Sequence, residues 1–249
     1  MVIDEIQADK SKAVPANEDG WPDNRFYGEH TGGVIELKQI TQLPEHFVER
    51  GSVDLTKDFK LLVKLQAAAF LAVILSGWLF LNLTYFLRPD SGELLSVSSL
   101  LGFESTNGLN LRISLSMFML VSLLVATVLM IILHEAVHGV AFWLFTGKRP
   151  TFGFKLFYAY AASPKGIYLP RQQYFIVALA PLIFLTLAGI ALIPVVPLVA
   201  LPTLVFFLVG NAAGAIGDVW VVGWLMREPP EILLQDRGDA VTCYGPPST

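Results

Sequence analysis

Residues 128–145 read VLMIILHEAVHGVAFWLF. The stretch is hydrocarbon at both ends, yet His134, Glu135 and His138 interrupt it within five positions. A bilayer-spanning helix needs about 20 mostly apolar residues. A charged side chain near the centre of such a helix costs roughly 2.5–3.5 kcal/mol on insertion scales. Polar groups at that depth are tolerated when they pair, coordinate an ion or line a wet cavity. The stretch reads as a membrane span that carries a site.

The rest of the chain decides for a span. Of its 249 residues 54% are hydrophobic and 15% charged, and the mean hydropathy is +0.58. Charge collects in the first 60 residues, in short connectors and in the tail. Four segments are long and apolar enough to cross: about Leu61–Leu87, Ser114–Phe145, Tyr174–Ile193 and Ala200–Met226. Pro194, Pro197 and Pro202 form an uncharged turn between the last two. The expected fold is mainly α: a polytopic membrane protein with about four transmembrane helices and a small cytoplasmic β-loop between the second and third. The net charge of −4 and the absence of a basic stripe argue against a nucleic-acid partner.

Basic residues set the orientation. Arg50, Lys57 and Lys60 precede the first span; Lys148, Arg149, Lys155, Lys165 and Arg171 lie between the second and third; Arg227 and Arg237 follow the fourth. The first connector offers only Arg88 and Arg112. Both termini are therefore expected in the cytoplasm, with the chain integral to a membrane, as in a bacterial plasma membrane. The start, MVIDEIQADK, lacks the apolar core of a secretory signal.

Residues 1–60 read as a polar cytoplasmic segment, with the first 30 or so expected to be disordered, a short strand in GVIELKQI and a helical turn in LPEHFVERG. His30 and His46 look like ordinary surface residues. Residues 61–227 form the membrane domain and 228–249 a cytoplasmic tail. PTFGFKLFYAYAAS alternates Phe152, Phe154, Leu156, Tyr158 and Tyr160 with Gly153, Lys155, Phe157, Ala159 and Ala161, an aromatic-rich period of two that predicts a strand. Lipid satisfies no backbone hydrogen bonds, so an apolar strand there must lie against protein, dipping into the helix bundle. In the tail, EILLQDRGDAVTCYGPP predicts a hairpin turning at Asp236–Asp239, and Cys243, the only cysteine, reads as a free inert thiol.

His134 and His138 are four apart, so their rings leave one helix face and can share an ion. Zinc suits two imidazoles and a carboxylate, with a fourth position left for water. Glu135, about 100° around the helix, can reach that water as general base, the logic of H-E-x-x-H. The bland alternative pairs Glu135 with Lys64 in a structural polar cluster. The third ligand should be an acid at equal depth. Asp218 is the only acid in the last two spans, nine residues before Arg227, or roughly 13 Å from that end. His138 is ten residues before Lys148, or roughly 15 Å. Asn211, seven residues before Asp218, faces the same way on a continuous helix. It is either a substrate- or oxyanion-binding amide or an interhelical hydrogen-bonding group. Gly210, Ala213, Gly214 and Gly217 make a small-residue face that lets helices approach closely, and Gly139 is expected to act likewise.

With these residues in view the chain resembles the site-two protease type of intramembrane zinc metalloprotease. More closely, it is similar to a family of small bacterial membrane proteins described as "putative zincin peptidases". The resemblance rests on HEAVH followed by Gly139, on TGKRPTFGFKLFYAYAASP after it, and on NAAGAIGD in a later helix, over about Ser114 to Arg227. It implies His134, His138 and Asp218 as zinc ligands, Glu135 as base and Asn211 as a substrate-orienting amide. GDV stands where site-two proteases carry Leu-Asp-Gly, and the proline of that segment is absent. The expected function is membrane-embedded, zinc-dependent hydrolysis of membrane or membrane-proximal peptides. The alternatives are a non-hydrolytic zinc-binding membrane protein and, further off, an ion transporter. The sequence assigns neither a natural substrate nor an oligomeric state.

Overall fold

The structure, a computed structural model, describes residues 30–31, 34–35, 39–54, 58–92, 95, 104–106, 110–112, 117–155, 158–238 and 240–247. The expected disorder of the first residues falls on positions 1–29, outside the described residues. Helix α1 spans Phe59–Leu87, α2 Met117–Thr146, α3 Arg171–Leu192, α4 Leu201–Gly214 and α5 Ile216–Leu225. Four helical stretches are long and apolar enough to cross a membrane, α4 and α5 counting as one with the short 3-10 turn before them. That agrees with a multi-pass membrane protein. Asp58 starts α1 by accepting the Leu61 N–H at 3.1 Å. At the far end Arg88 leaves α1 and donates to the carbonyls of Ile193, Pro194 and Val196, clamping the Pro-rich turn that follows α3.

The expected single last helix is broken at Ala215, whose ψ is 0. Its N–H still bonds Asn211 and its carbonyl still accepts from Val219, so the chain keeps its direction and restarts as α5. Asp218 therefore sits in the first turn of α5.

The outward faces of α1 and α2 are apolar: Phe70, Trp78 and Phe86 are exposed on α1, and Phe118 and Leu124 on α2. Water would penalise such surface at about 25 cal/mol per Å², whereas lipid would not. α1 packs on α4, and α2 packs on both α3 and α4. Two buried clusters hold the bundle. Phe80, Ile193, Leu201, Val205 and Leu208 join α1 to the α3–α4 turn, and Gly189 admits the Leu208 side chain against α3. Phe142, Val177, Leu225, Ile232 and Leu234 join α2, α3 and α5 to a sheet.

That sheet comes from opposite ends of the chain. Strands β1 (His30–Thr31) and β2 (Val34–Ile35) pair as a small ladder of their own, β2 falling within the strand expected in GVIELKQI. β3 (Val48–Asp54) pairs with β10 (Ala240–Gly245), β10 with β9 (Leu233–Asp236), and β9 with β8 (Leu169–Pro170), all antiparallel. LPEHFVERG is a turn at Glu45–His46 that runs into β3 rather than a helical turn. The tail hairpin turns as expected, between Asp236 and Ala240. Cys243 is fully buried in β10, and burial pushes its thiol up to about 11, which keeps it inert. Between α1 and α2 lie β4 (Glu104–Thr106) and β5 (Asn110–Arg112).

The aromatic alternation after α2 folds as a two-stranded hairpin rather than one strand. β6 (Thr151–Lys155) pairs with β7 (Tyr158–Ala162), and residues 156–157 lie outside the described set. Gly139 serves this hairpin and not helix–helix approach: a Cβ there would strike the Phe152 ring.

Candidate metal centre and its cavity

Near the sheet end of the bundle, all five helices, β3, β7 and the tail line a cavity of about 900 Å³, with His134, Glu135, His138, Tyr174, Asp218 and Asp236 among its walls. His134 and His138 come from one face of α2, and Asp218 comes from α5. Asp218 Oδ2 lies 3.3 Å from His134 Nε2 and 3.5 Å from His138 Nε2. One ligand atom from each residue lies within 4.8 Å of the others.

The rear nitrogens of both rings are fixed. His138 Nδ1 is 2.9 Å from the carbonyl of Val177. A carbonyl can only accept, so Nδ1 carries the proton. The carbonyl is available because Pro181, four residues on, has no N–H to close the helical bond. His134 Nδ1 is 3.1 Å from Asn211 Oδ1. The amide's orientation is set by its Nδ2, which donates to Pro181 O and to Thr186 Oγ1, both at 3.3 Å. Asn211 is completely buried and spends its polar atoms on α3 and on the His134 ring of α2.

A ring protonated on Nδ1 alone turns the Nε2 lone pair toward the Asp218 carboxylate, and two such rings with that carboxylate make a donor set that suits a cation. Zinc ligands at about 2.0–2.2 Å in a tetrahedron lie about 3.3–3.5 Å apart, which matches the two separations found here. Histidine ligands are commonly oriented through the other ring nitrogen by a carbonyl or an amide oxygen. His134, His138 and Asp218 therefore fit zinc.

Glu135 is not tied to Lys64: its Oε2 accepts the backbone N–H of Ala161, in β7, at 2.6 Å. Ala161 pairs with Phe152 of β6, yet its N–H points away from β6, so β7 offers its outer edge to the cavity. Gly210 rests against Met130, while Gly214 meets no side chain and, like Gly217, lines the cavity. Part of the small-residue face thus makes room instead of contact.

Sequence reasoning missed Pro181, Thr186, Tyr174 and Asp236. A proline inside an apolar helix was a visible signal for the first; nothing in the sequence marked the other three.

The family described as "Putative zincin peptidase" matches residues 127–233. The match runs from α2 to the start of β9 and contains His134, Glu135, His138, Asn211 and Asp218. No curated protein and no solved structure matches the chain.

Proposed function

We propose that the protein is a membrane-embedded zinc endopeptidase acting on membrane or membrane-proximal peptides. One observation carries the reading: two imidazoles with fixed tautomers and one carboxylate, drawn from separate helices, converge beside a glutamate in a peptide-sized cavity. His134, His138 and Asp218 would hold the metal. Zinc bound there would supply Lewis acidity, polarising a peptide carbonyl and making water more acidic.

Glu135 is the general base. It takes a proton from the attacking water and returns it to the departing amine nitrogen. The substrate enters as a strand on the outer edge of β7, because a helical substrate keeps its scissile carbonyl in internal hydrogen bonds. The hydrogen bond from Ala161 N–H to Glu135 then acquires a meaning. A substrate carbonyl that takes over this N–H frees the carboxylate, so the base is released as the peptide is aligned. The basic residues flanking the sheet end favour the cytoplasmic face for the cavity mouth and for both termini.

The deciding experiment measures bound zinc and peptide hydrolysis in detergent for the wild type and Glu135→Gln. One zinc in both proteins is expected, with hydrolysis reduced by about 10²–10⁴-fold in the variant. Undiminished hydrolysis would remove Glu135 from the mechanism. Absence of metal from both would remove the whole reading.

A further inference from the structure

The cavity has a second polar pole. Asp236, at the end of β9, and Tyr174, in the first turn of α3, both line it. The Tyr174 hydroxyl donates to Asp236 Oδ2 at 2.7 Å, and the Gly238 N–H donates to Oδ1 at 2.6 Å. A carboxylate has about four acceptor positions, so these two donors leave room for more. Among the described residues no ion pair involves Asp236. Neighbouring Arg237 turns its guanidinium to Gln235 Oε1 instead. Val241 faces Asp236 across the β9–β10 ladder, and the cavity lining also includes apolar Phe142, Val177 and Ala178.

We propose that Asp236, held by Tyr174 and the Gly238 N–H, is a subsite for a positively charged group of the substrate: a Lys or Arg side chain, or a free α-ammonium. Three considerations point this way. A carboxylate on an apolar wall with spare acceptor capacity gains a charge-assisted hydrogen bond when a cation arrives. Burial lifts its pKa to about 6, so near neutral pH it is largely ionised, with no ion-paired cation among the described residues. Segments flanking membrane helices on the cytoplasmic side are rich in Lys and Arg, and such segments are what a peptidase opening to that side would meet. The inference rests on the peptidase reading and names its substrate class. Asp236 itself lies beyond residues 127–233, where the family match ends.

The test uses the full chain, zinc-loaded in detergent, with C-terminally labelled peptides that differ only in Lys against norleucine, each with a free or an acetylated N-terminus. The wild type should show kcat/KM at least about tenfold higher for the cationic member of a pair, the size expected of a partly buried ion pair. The acetylated arm separates an α-ammonium from a side chain. In Asp236→Asn the ratio should fall toward one, Asp236→Glu should recover part of it, and Tyr174→Phe should lower it through KM with little change in kcat. Equal kcat/KM for all four wild-type peptides overturns the proposal, and that measurement needs no variant to fold. If no peptide is cleaved, the peptidase reading has failed. Binding of the same peptides by fluorescence anisotropy then judges the subsite alone: tighter binding of the cationic peptides supports it, and equal binding overturns it.

Discussion

Pro181 shows how a single missing proton donor organises the site. An ordinary residue at that position would donate its N–H to Val177 and close the helix; proline cannot, and the spare carbonyl holds the His138 ring. The carbonyl of Pro181 itself accepts from Asn211, which orients His134. Both imidazoles are thus aimed from one turn of α3. Pro181→Ala should let Val177 O return to the helix ladder, loosening His138. Zinc affinity, read by competition with a chelator, should fall by about 10–100-fold, the usual effect of losing a ligand's orienting partner. The helix itself should gain stability, because proline is a poor interior residue. The convergence of His134, His138 and Asp218 was legible from spacing and depth, because polar groups in so apolar a setting leave few explanations. Their orienting partners were not, since a backbone carbonyl has no sequence signature until the missing N–H opposite it is noticed.

Among the elements, the β6–β7 hairpin sits where chemistry and recognition meet. Gly139 lets Phe152 rest on α2, which brings the Ala161 N–H to the Glu135 carboxylate. Ala161→Pro would delete that N–H while leaving pairing with β6 intact, since the N–H points away from β6. Zinc content should be unchanged, and hydrolysis of strand-forming peptides should fall by about tenfold or more, on the scale of losing one buried hydrogen bond to a charged group. A variant that cleaves as fast as the wild type would take β7 out of substrate binding. The sequence announced extended backbone here through its alternating aromatics. It did not announce two strands, because the period of two runs on unbroken from β6 into β7. The broken last helix was hidden for a similar reason: Ala215 is a good helix former, and nothing local marks the interruption.

Over the whole molecule, the four apolar stretches could be read to within about three residues at their ends, since long uncharged runs stand out in the sequence, although the last proved to be two helices. The sheet could not, because β3 and β10 are separated by nearly the entire chain and their pairing has no local cue. It is this sheet that holds Asp236 on the cavity wall, and with it a pH dependence. Burial raises the Asp236 pKa from 3.8 to about 6. A carboxyl that is harder to ionise in the folded protein than in the unfolded chain supports folding below about pH 4, and that support is lost as pH rises through about 6. Thermal unfolding in detergent should therefore show the wild type losing stability relative to Asp236→Asn between pH 4 and pH 7. A difference that stays flat across this range would mean the carboxyl titrates normally.

The long-range pairing of β3 with β10 also sets a timetable for biogenesis. All three proposed metal ligands have been synthesised once Asp218 is made, but Ala240 and Val241 still lie ahead on the ribosome. Until they dock beside β3, the cavity lacks one side. On the peptidase reading, cleavage should thus wait for this late docking. Ribosome-stalled chains of increasing length offer the check: zinc retention should appear earlier than peptide cleavage, and simultaneous onset would contradict this order.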